Sequence, residues 1–144
     1  MAIILDGSTG ISSIGTLTGV TDINSPTGVL ATQNGMTGIA KAWVQFAGAT
    51  GTIAGSFNVT SITIVSTGYY TVTFTTAMAN ANYSIVGNGS STSGTGQGNI
   101  IQPFTNPATG TTVAPTTASF NFSSLYGSGT ATTPVYVNVA VFGS

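Results

Sequence analysis

The clearest periodicity in the chain is Tyr69-Tyr70-Thr71-Val72-Thr73-Phe74-Thr75, in which large apolar side chains alternate with hydroxyl-bearing ones. In an extended chain, Tyr70, Val72 and Phe74 lie on one face, and the threonines lie on the other. This pattern is typical of an antiparallel strand with one buried face. The segment before it, Val59–Val65, can pair with it, and the link Ser66-Thr67-Gly68 offers a glycine for the left-handed position of a hairpin loop. The sequence therefore predicts a β-hairpin here.

Similar short segments extend on both sides of this hairpin, separated by Gly, Pro, Asn and Ser. They are Ala42–Ala47, Thr52–Phe57, Tyr83–Gly87, Asn99–Phe104, Ala118–Leu125 and Pro134–Gly143. Thr is the most frequent residue, and β-branched side chains favour extended chain, whereas the 20 glycines favour turns. We therefore expect an all-β fold, an antiparallel β-sandwich or barrel head of about 7–8 strands with an extended N-terminal arm.

The last predicted strand has apolar side chains on both of its faces. One face carries Val135, Val137, Val139 and Val141, and the other carries Tyr136, Asn138, Ala140 and Phe142. A strand of this kind needs cover on both sides. We expect it to lie centrally, either between two packed layers or in a subunit interface.

Aromatic residues and charges divide the chain near residue 40. The first aromatic residue is Trp43, whereas both acidic residues, Asp6 and Asp22, precede it. We expect residues 1–40 to form the arm and residues 41–144 to form the β-sandwich or barrel head. The arm has no sustained periodicity, which leaves two alternatives, a segment that attaches the head to another protein and a disordered tail without a partner.

The charged residues exclude several classes of function. The net charge is −1 with a single base, Lys41, so we expect binding neither to nucleic acid nor to an anionic membrane, and the apolar start of the chain is too short for membrane insertion. The chain has no His and no Cys, which removes the usual general bases and metal ligands. We expect a protein that is not an enzyme and that has no cofactor and no metal.

Sheet edges in this chain lack the charges that normally prevent aggregation between edges. Closure into a barrel or assembly of neighbouring chains would hide them. Because a nearly uncharged monomer has poor colloidal stability, the composition favours a closed homo-oligomer.

Several segments resemble the C-terminal domain of bacteriophage tail fibre proteins, especially those of phages of aquatic bacteria. They are Lys41-Ala42-Trp43-Val44-Gln45-Phe46, Gly55-Ser56-Phe57-Asn58-Val59, residues 67–74, Ala77-Met78-Ala79-Asn80-Ala81-Asn82-Tyr83 and the ending Val137-Asn138-Val139-Ala140-Val141-Phe142-Gly143. The start, Leu5-Asp6-Gly7-Ser8-Thr9-Gly10-Ile11, is similar to the N-terminal start of many such fibres.

The resemblance implies a homotrimeric component of the virion tail, synthesised in the cytoplasm of the bacterial host. Its arm would dock on tail or baseplate proteins, and its β head would meet a polysaccharide of the host cell surface. Docking candidates in the arm are Ile4, Leu5, Asp6 and Ile11. Such fibres are usually much longer, so this chain lacks a shaft.

A polar loop from Gly87 to Gly98 suggests how a glycan would be recognised. Gln97 and Asn99 can bond a neutral ligand, and Tyr126 can stack on a sugar ring. The resulting hypothesis is a short fibre that binds a neutral glycan through its distal loops. The alternatives are a structural tail or capsid decoration protein that binds no receptor, and an ice-binding protein, which the lack of a regular Thr repeat disfavours.

Overall fold

The computed structural model describes residues 39–90, 99–106 and 108–143, and these contain strands and turns but no helix. All eight predicted strands are present, with shifts of one or two residues at their ends. The strands are β1 (Ala42–Ala47), β2 (Ile53–Phe57), β3 (Val59–Ser66), β4 (Tyr69–Phe74), β5 (Tyr83–Gly89), β6 (Asn99–Pro103), β7 (Thr105–Asn106), β8 (Thr111–Thr112), β9 (Ser119–Leu125) and β10 (Tyr136–Gly143). Apart from Ile39 and Ala40, the predicted arm lies outside the described residues, and its boundary stays a prediction.

Eight of these strands form one antiparallel sheet in the order β2-β1-β10-β5-β6-β9-β4-β3. The sheet curls until its end strands, β2 and β3, approach each other, which gives a nearly closed barrel. The all-β antiparallel fold is confirmed, in its barrel form and not as two stacked sheets. Curling also brings the two uncharged edges of the sheet together within one chain.

The predicted hairpin is confirmed as β3 and β4. Its loop is one residue shorter than expected, because Ser66 already pairs with Tyr69. Gly68 has a φ of 67°, in the left-handed region. A Cβ atom at this position would lie 2.7 Å from the carbonyl oxygen of Ser124 and 2.7 Å from the backbone nitrogen of Thr132. Glycine is therefore required here by both the backbone angle and the close approach.

The core fills the inside of the barrel with aromatic and β-branched side chains. Phe46, Tyr70 and Phe122 are fully buried, with ring centroids 5.3 Å apart for Phe46 and Tyr70 and 5.2 Å apart for Tyr70 and Phe122. Burying each such ring contributes roughly 1.5–3 kcal/mol. The alternation of β1 and β4 points one row of each strand to this core. The inward residues are Ala42, Val44 and Phe46 of β1 and Tyr70, Val72 and Phe74 of β4.

Two core tyrosines keep their hydroxyl groups neutral and bonded. The Tyr70 hydroxyl donates to the carbonyl oxygen of Gly48 at 3.1 Å, and that of Tyr83 lies 2.9 Å from the carbonyl oxygen of Thr116. Burial raises the pKa of Tyr83 to about 12. Burial also raises the pKa of Tyr70, against the lowering effect of a hydrogen bond with Thr133. Both groups therefore remain protonated donors at neutral pH.

Strand β10 lies between β1 and β5 in the sheet. Val137, Val139 and Val141 are buried in the core. The other face is not covered by a second layer of described residues, since Tyr136 is 53% exposed. The two-layer alternative is therefore wrong for the described part of the chain, and the interface alternative stays a prediction. Val135 precedes the strand and is exposed instead of belonging to the buried row.

Strands β7 and β8 form a small separate hairpin that the sequence did not predict, because segments of two residues carry no periodicity. This hairpin lies against the outside of β9, where the buried Ser123 hydroxyl donates to the Thr105 carbonyl oxygen. The connection to it passes through Phe104, whose φ of 58° is unusual for a bulky residue. Its N–H group donates to the Asn121 carbonyl oxygen at 2.8 Å, which fixes this bend.

A single residue, Asn58, joins the two end strands of the sheet. Its φ is 53°, a left-handed value that Asn tolerates better than most residues. Its Nδ2 group donates to the Lys41 carbonyl oxygen at 3.2 Å, and its Oδ1 atom accepts from the Thr76 N–H group at 2.7 Å. Asn58 thereby ties the beginning of β1 to the corner between β2 and β3.

Candidate functional site

Two parallel rows of side chains cross the outer surface of β1, β10 and β5. In the first row, Trp43 pairs with Ala140, and Ala140 pairs with Val86. Trp43 and Ala140 alternate with buried residues in β1 and β10, and Val86 is placed on the same face by its pairing with Ala140. Trp43 is 43% exposed and Val86 is 55% exposed. The row is therefore an apolar strip open to solvent.

The second row consists of three amide side chains in register, Gln45, Asn138 and Asn88. Gln45 Nε2 donates to Asn138 Oδ1 at 2.9 Å, and Asn138 Nδ2 donates to Asn88 Oδ1 at 3.1 Å. We call this row the amide ladder. Each amide has two donor hydrogens and one acceptor oxygen, so the ladder leaves Gln45 Oε1 and the Asn88 Nδ2 group at its two ends for other partners.

The strip and the ladder together line an open groove of about 600 Å³, which we call the outer groove. Its side-chain lining consists of Trp43, Gln45, Val86, Asn88, Asn138 and Ala140. Small-molecule sites typically occupy about 300–1,000 Å³, so the groove has the size of a ligand site. None of these side chains carries a charge, and the one base of the chain, Lys41, is buried.

Backbone packing holds the indole of Trp43 in place. Trp43 pairs with Phe57 on β2, and its ring reaches diagonally to Gly55, where an added Cβ atom would lie 3.4 Å from two ring carbons. The indole therefore rests directly on the Gly55 backbone. Further exposed apolar side chains flank the groove on the same face. They are Phe57, Ile100 and Tyr136.

The outer surface of β3, β4 and β9 has a different character, and we call it the hydroxyl face. Its outward residues include Ser61, Thr63, Thr71, Thr73 and Asn121. The Thr71 hydroxyl donates to Asn121 Oδ1. The side chains of this face thus bond one another across the strands.

Several connections between strands share one end of the barrel. The turns and loops at 48–52, 67–68 and 126–135 meet there, as do the ends of β5 and β6 that flank the segment 91–98. The chain enters β1 at Lys41, at the other end, where Lys41 N–H donates to the Val141 carbonyl oxygen at 2.7 Å. The two ends of the barrel are thus distinct.

The structure gives the three predicted receptor contacts different positions. Gln97 lies outside the described residues. Asn99 is buried, its Nδ2 group donates to the Ser90 carbonyl oxygen, and its Oδ1 atom has no hydrogen-bond partner among the described residues. Tyr126 is half-buried, and its backbone closes a turn with Thr130. Their role stays a prediction, as does that of the docking candidates Ile4, Leu5, Asp6 and Ile11, which lie outside the described residues.

The residues of the outer groove were not among the predicted contacts. Their signal in the sequence was the second apolar face of the last strand and the outward Trp43, which the alternation in Ala42–Ala47 exposes. The sequence did not predict the alignment of β1, β10 and β5. These strands are distant in sequence, and the periodicity of each strand does not determine the register in which they pair.

The described residues contain neither a cluster of metal-binding side chains nor a helix that could span a membrane. Residues 39–90, 99–106 and 108–143 contain no group of three or more His, Cys, Asp or Glu side chains that could hold a metal ion. The same residues include no helix with the length and hydropathy needed to span a membrane. What the groove offers is an aromatic face, amide donors and acceptors, and an uncharged surface.

The chain was compared with protein-family models, with curated proteins and with solved structures, and no match was found in any of the three.

Proposed function

We propose that this chain is a non-catalytic structural component of a bacteriophage tail, a short homotrimeric fibre that attaches the virion to its host. Residues 1–40 dock on tail or baseplate proteins, and the barrel recognises a neutral glycan of the host cell surface. The proposal combines the sequence resemblance with the geometry of the barrel.

The observation that carries this proposal is the separation of the two barrel ends. The chain enters at Lys41, whereas the loops at 67–68 and 126–135 lie at the opposite end. A head held by its arm would therefore present those loops outward. Loops on a rigid β scaffold are frequent recognition sites.

The absence of charge supports a neutral ligand. The head has one base, Lys41, which is buried, and no acid. Attraction between ions therefore contributes little, and binding has to come from hydrogen bonds and aromatic stacking.

The exposed apolar side chains support assembly of several chains. Phe57, Tyr136 and Ile100, which flank the outer groove, are each more than 40% exposed. Apolar side chains of this kind mark interaction sites in soluble proteins. Together with the two end strands of the nearly closed sheet, which have no strand partner on their outer side among the described residues, they are the reason to expect an oligomer.

The test uses the full-length chain on an array of neutral and acidic polysaccharides at low and at high salt. We expect binding to neutral polysaccharides that changes little with salt, because no counterions are released. Light scattering over a dilution series should give the mass of three chains.

Two results would contradict the proposal. Steep loss of binding with rising salt would indicate an electrostatic mechanism. A chain that binds no polysaccharide but still attaches to tail proteins through residues 1–40 would favour the alternative, a decoration protein without a receptor. Alanine at Ile4, Leu5 and Ile11 should abolish attachment to tail proteins and leave polysaccharide binding unchanged.

A further inference from the structure

We propose that the outer groove is itself a saccharide site, which takes a neutral oligosaccharide of equatorially substituted pyranose rings lying across β1, β10 and β5. The inference rests on the proposed function for the class of ligand, and it adds a position for that ligand on the wall of the barrel.

The apolar strip matches the length and chemistry of such a ligand. Trp43, Ala140 and Val86 lie in line across three neighbouring strands. Strands are about 4.8 Å apart, so the strip is about 10 Å long, roughly the length of two linked pyranose rings. Rings whose substituents are all equatorial present flat C–H faces, and the exposed indole offers a flat aromatic surface for one of them.

The amide ladder lies where the hydroxyl groups of that ligand would be. Gln45, Asn138 and Asn88 are each two positions along the strand from the strip, which corresponds to about 7 Å. Equatorial hydroxyl groups project from the edge of a ring in the plane of the ring, towards this row. A hydroxyl group both donates and accepts, so it can bond Gln45 Oε1 at one end and Asn88 Nδ2 at the other.

The lining of the groove favours this occupant over a second copy of the chain. Three of its six side chains are uncharged amides, namely Gln45, Asn138 and Asn88, whereas the core of an interface between copies of one chain is mostly apolar. An acidic sugar would lose hydration without gaining a counter-charge, so the ligand is neutral.

The experiment uses the only tryptophan of the chain as its probe. Trp43 is the single Trp, so intrinsic tryptophan fluorescence of the full-length protein reports on the groove alone. The ligands are cellotetraose and xylotetraose, with the fully C6-oxidised anionic counterpart of cellotetraose as the charged comparison. We expect a saturable blue shift with one of the neutral tetramers, because the sugar displaces water from the indole, and no shift with the anionic one.

Matched variants separate the groove from the rest of the surface. Asn138→Ala removes the residue that holds Gln45 and Asn88 in position, so the ligand should lose well-placed partners and bind about tenfold more weakly. Thr71→Val alters the hydroxyl face and should leave the fluorescence titration unchanged. Both side chains lie on the outside of the sheet, so both variants are expected to fold, which circular dichroism checks.

Three results would overturn the inference. Polysaccharide binding by the chain without any change of Trp43 emission would place the ligand elsewhere and leave the proposed function intact. A second copy of the chain in the groove would give Trp43 emission that is blue-shifted without ligand and changes on dilution of the protein. Such emission would not respond to either tetramer. Equal binding of the anionic tetramer would contradict the neutral class of ligand. By contrast, a chain that binds no saccharide in any assay contradicts the proposed function itself.

Discussion

The two outer surfaces of the barrel are built by the same alternation but leave different groups exposed. On the hydroxyl face, short polar side chains such as Thr71 and Asn121 bond one another. On the groove face, the outward positions hold Trp43 and Val86, which leave 43% and 55% of their surface exposed to water. Apolar surface left in water is unfavourable unless something covers it. In a chain almost without charge, the position of large outward side chains is therefore the best guide to the interacting surface.

The largest effect on folding is expected when the strand at the centre of the groove face, β10, is removed. Deletion of residues 135–144 takes away Val137, Val139 and Val141 from the core and unpairs both β1 and β5. Because several buried side chains are lost at once, we expect no folded protein. Solubility and circular dichroism measure the result, and Val135→Ser, a change at an exposed residue, is the control. A soluble, folded deletion variant would show that the hydroxyl-face half of the sheet is stable alone.

A smaller effect is expected from the hairpin that supports the hydroxyl face. Gly68→Ala places a methyl group within 2.7 Å of backbone atoms at a positive φ, so it should lower the free energy of unfolding by more than about 3 kcal/mol. Gly110→Ala is the matched control, since Gly110 has a φ of 64° but no atom within 4 Å of the added Cβ. That variant should lose only about 1 kcal/mol, the cost of the backbone angle. Urea unfolding of both measures the difference, and equal losses would mean that the contacts at Gly68 relax freely.

The smallest effects on stability are expected from substitutions of outward side chains. These substitutions distinguish the groove face from the hydroxyl face most directly. Asn138→Ala and Thr71→Val each remove hydrogen bonds at the surface, so each should change the free energy of unfolding by about 1 kcal/mol or less. Only the first should weaken saccharide binding. Urea midpoints and the fluorescence titration measure the two properties separately. A loss of several kcal/mol in Asn138→Ala alone would make the amide ladder a structural element of the sheet instead of a binding surface.

Much of the fold could be predicted from local patterns. The alternation in Tyr69–Thr75 identified β4 and its inward residues, and the row Val137, Val139 and Val141 identified the buried face of the last strand. These features depend on neighbours in the sequence and on the period of an extended chain. The short hairpin of β7 and β8 depends on contacts with β9 and on the left-handed Phe104, for which the sequence carries no local signal.

The candidate site was harder to predict because it is a product of strand order. Polar loops drew attention to Gln97, Asn99 and Tyr126, whereas the amide ladder joins Gln45, Asn138 and Asn88 from three distant segments. Each of these amides looks like an ordinary solvated residue in its own strand. Only the pairing of β10 with both β1 and β5 places them side by side.

The corner at Asn58 bears on how the barrel responds to mechanical tension. A pull on the chain at residue 39, with the far end of the barrel held, acts along β1, which is hydrogen-bonded to β2 on one side and to β10 on the other. Hydrogen bonds between antiparallel strands are perpendicular to the strands, so such a pull shears both rows together instead of opening them one at a time. The bond from Asn58 to the Lys41 carbonyl oxygen lies at the very point where the load enters. Tension applied along β1 would therefore have to break its hydrogen bonds with β2 and with β10 at the same time.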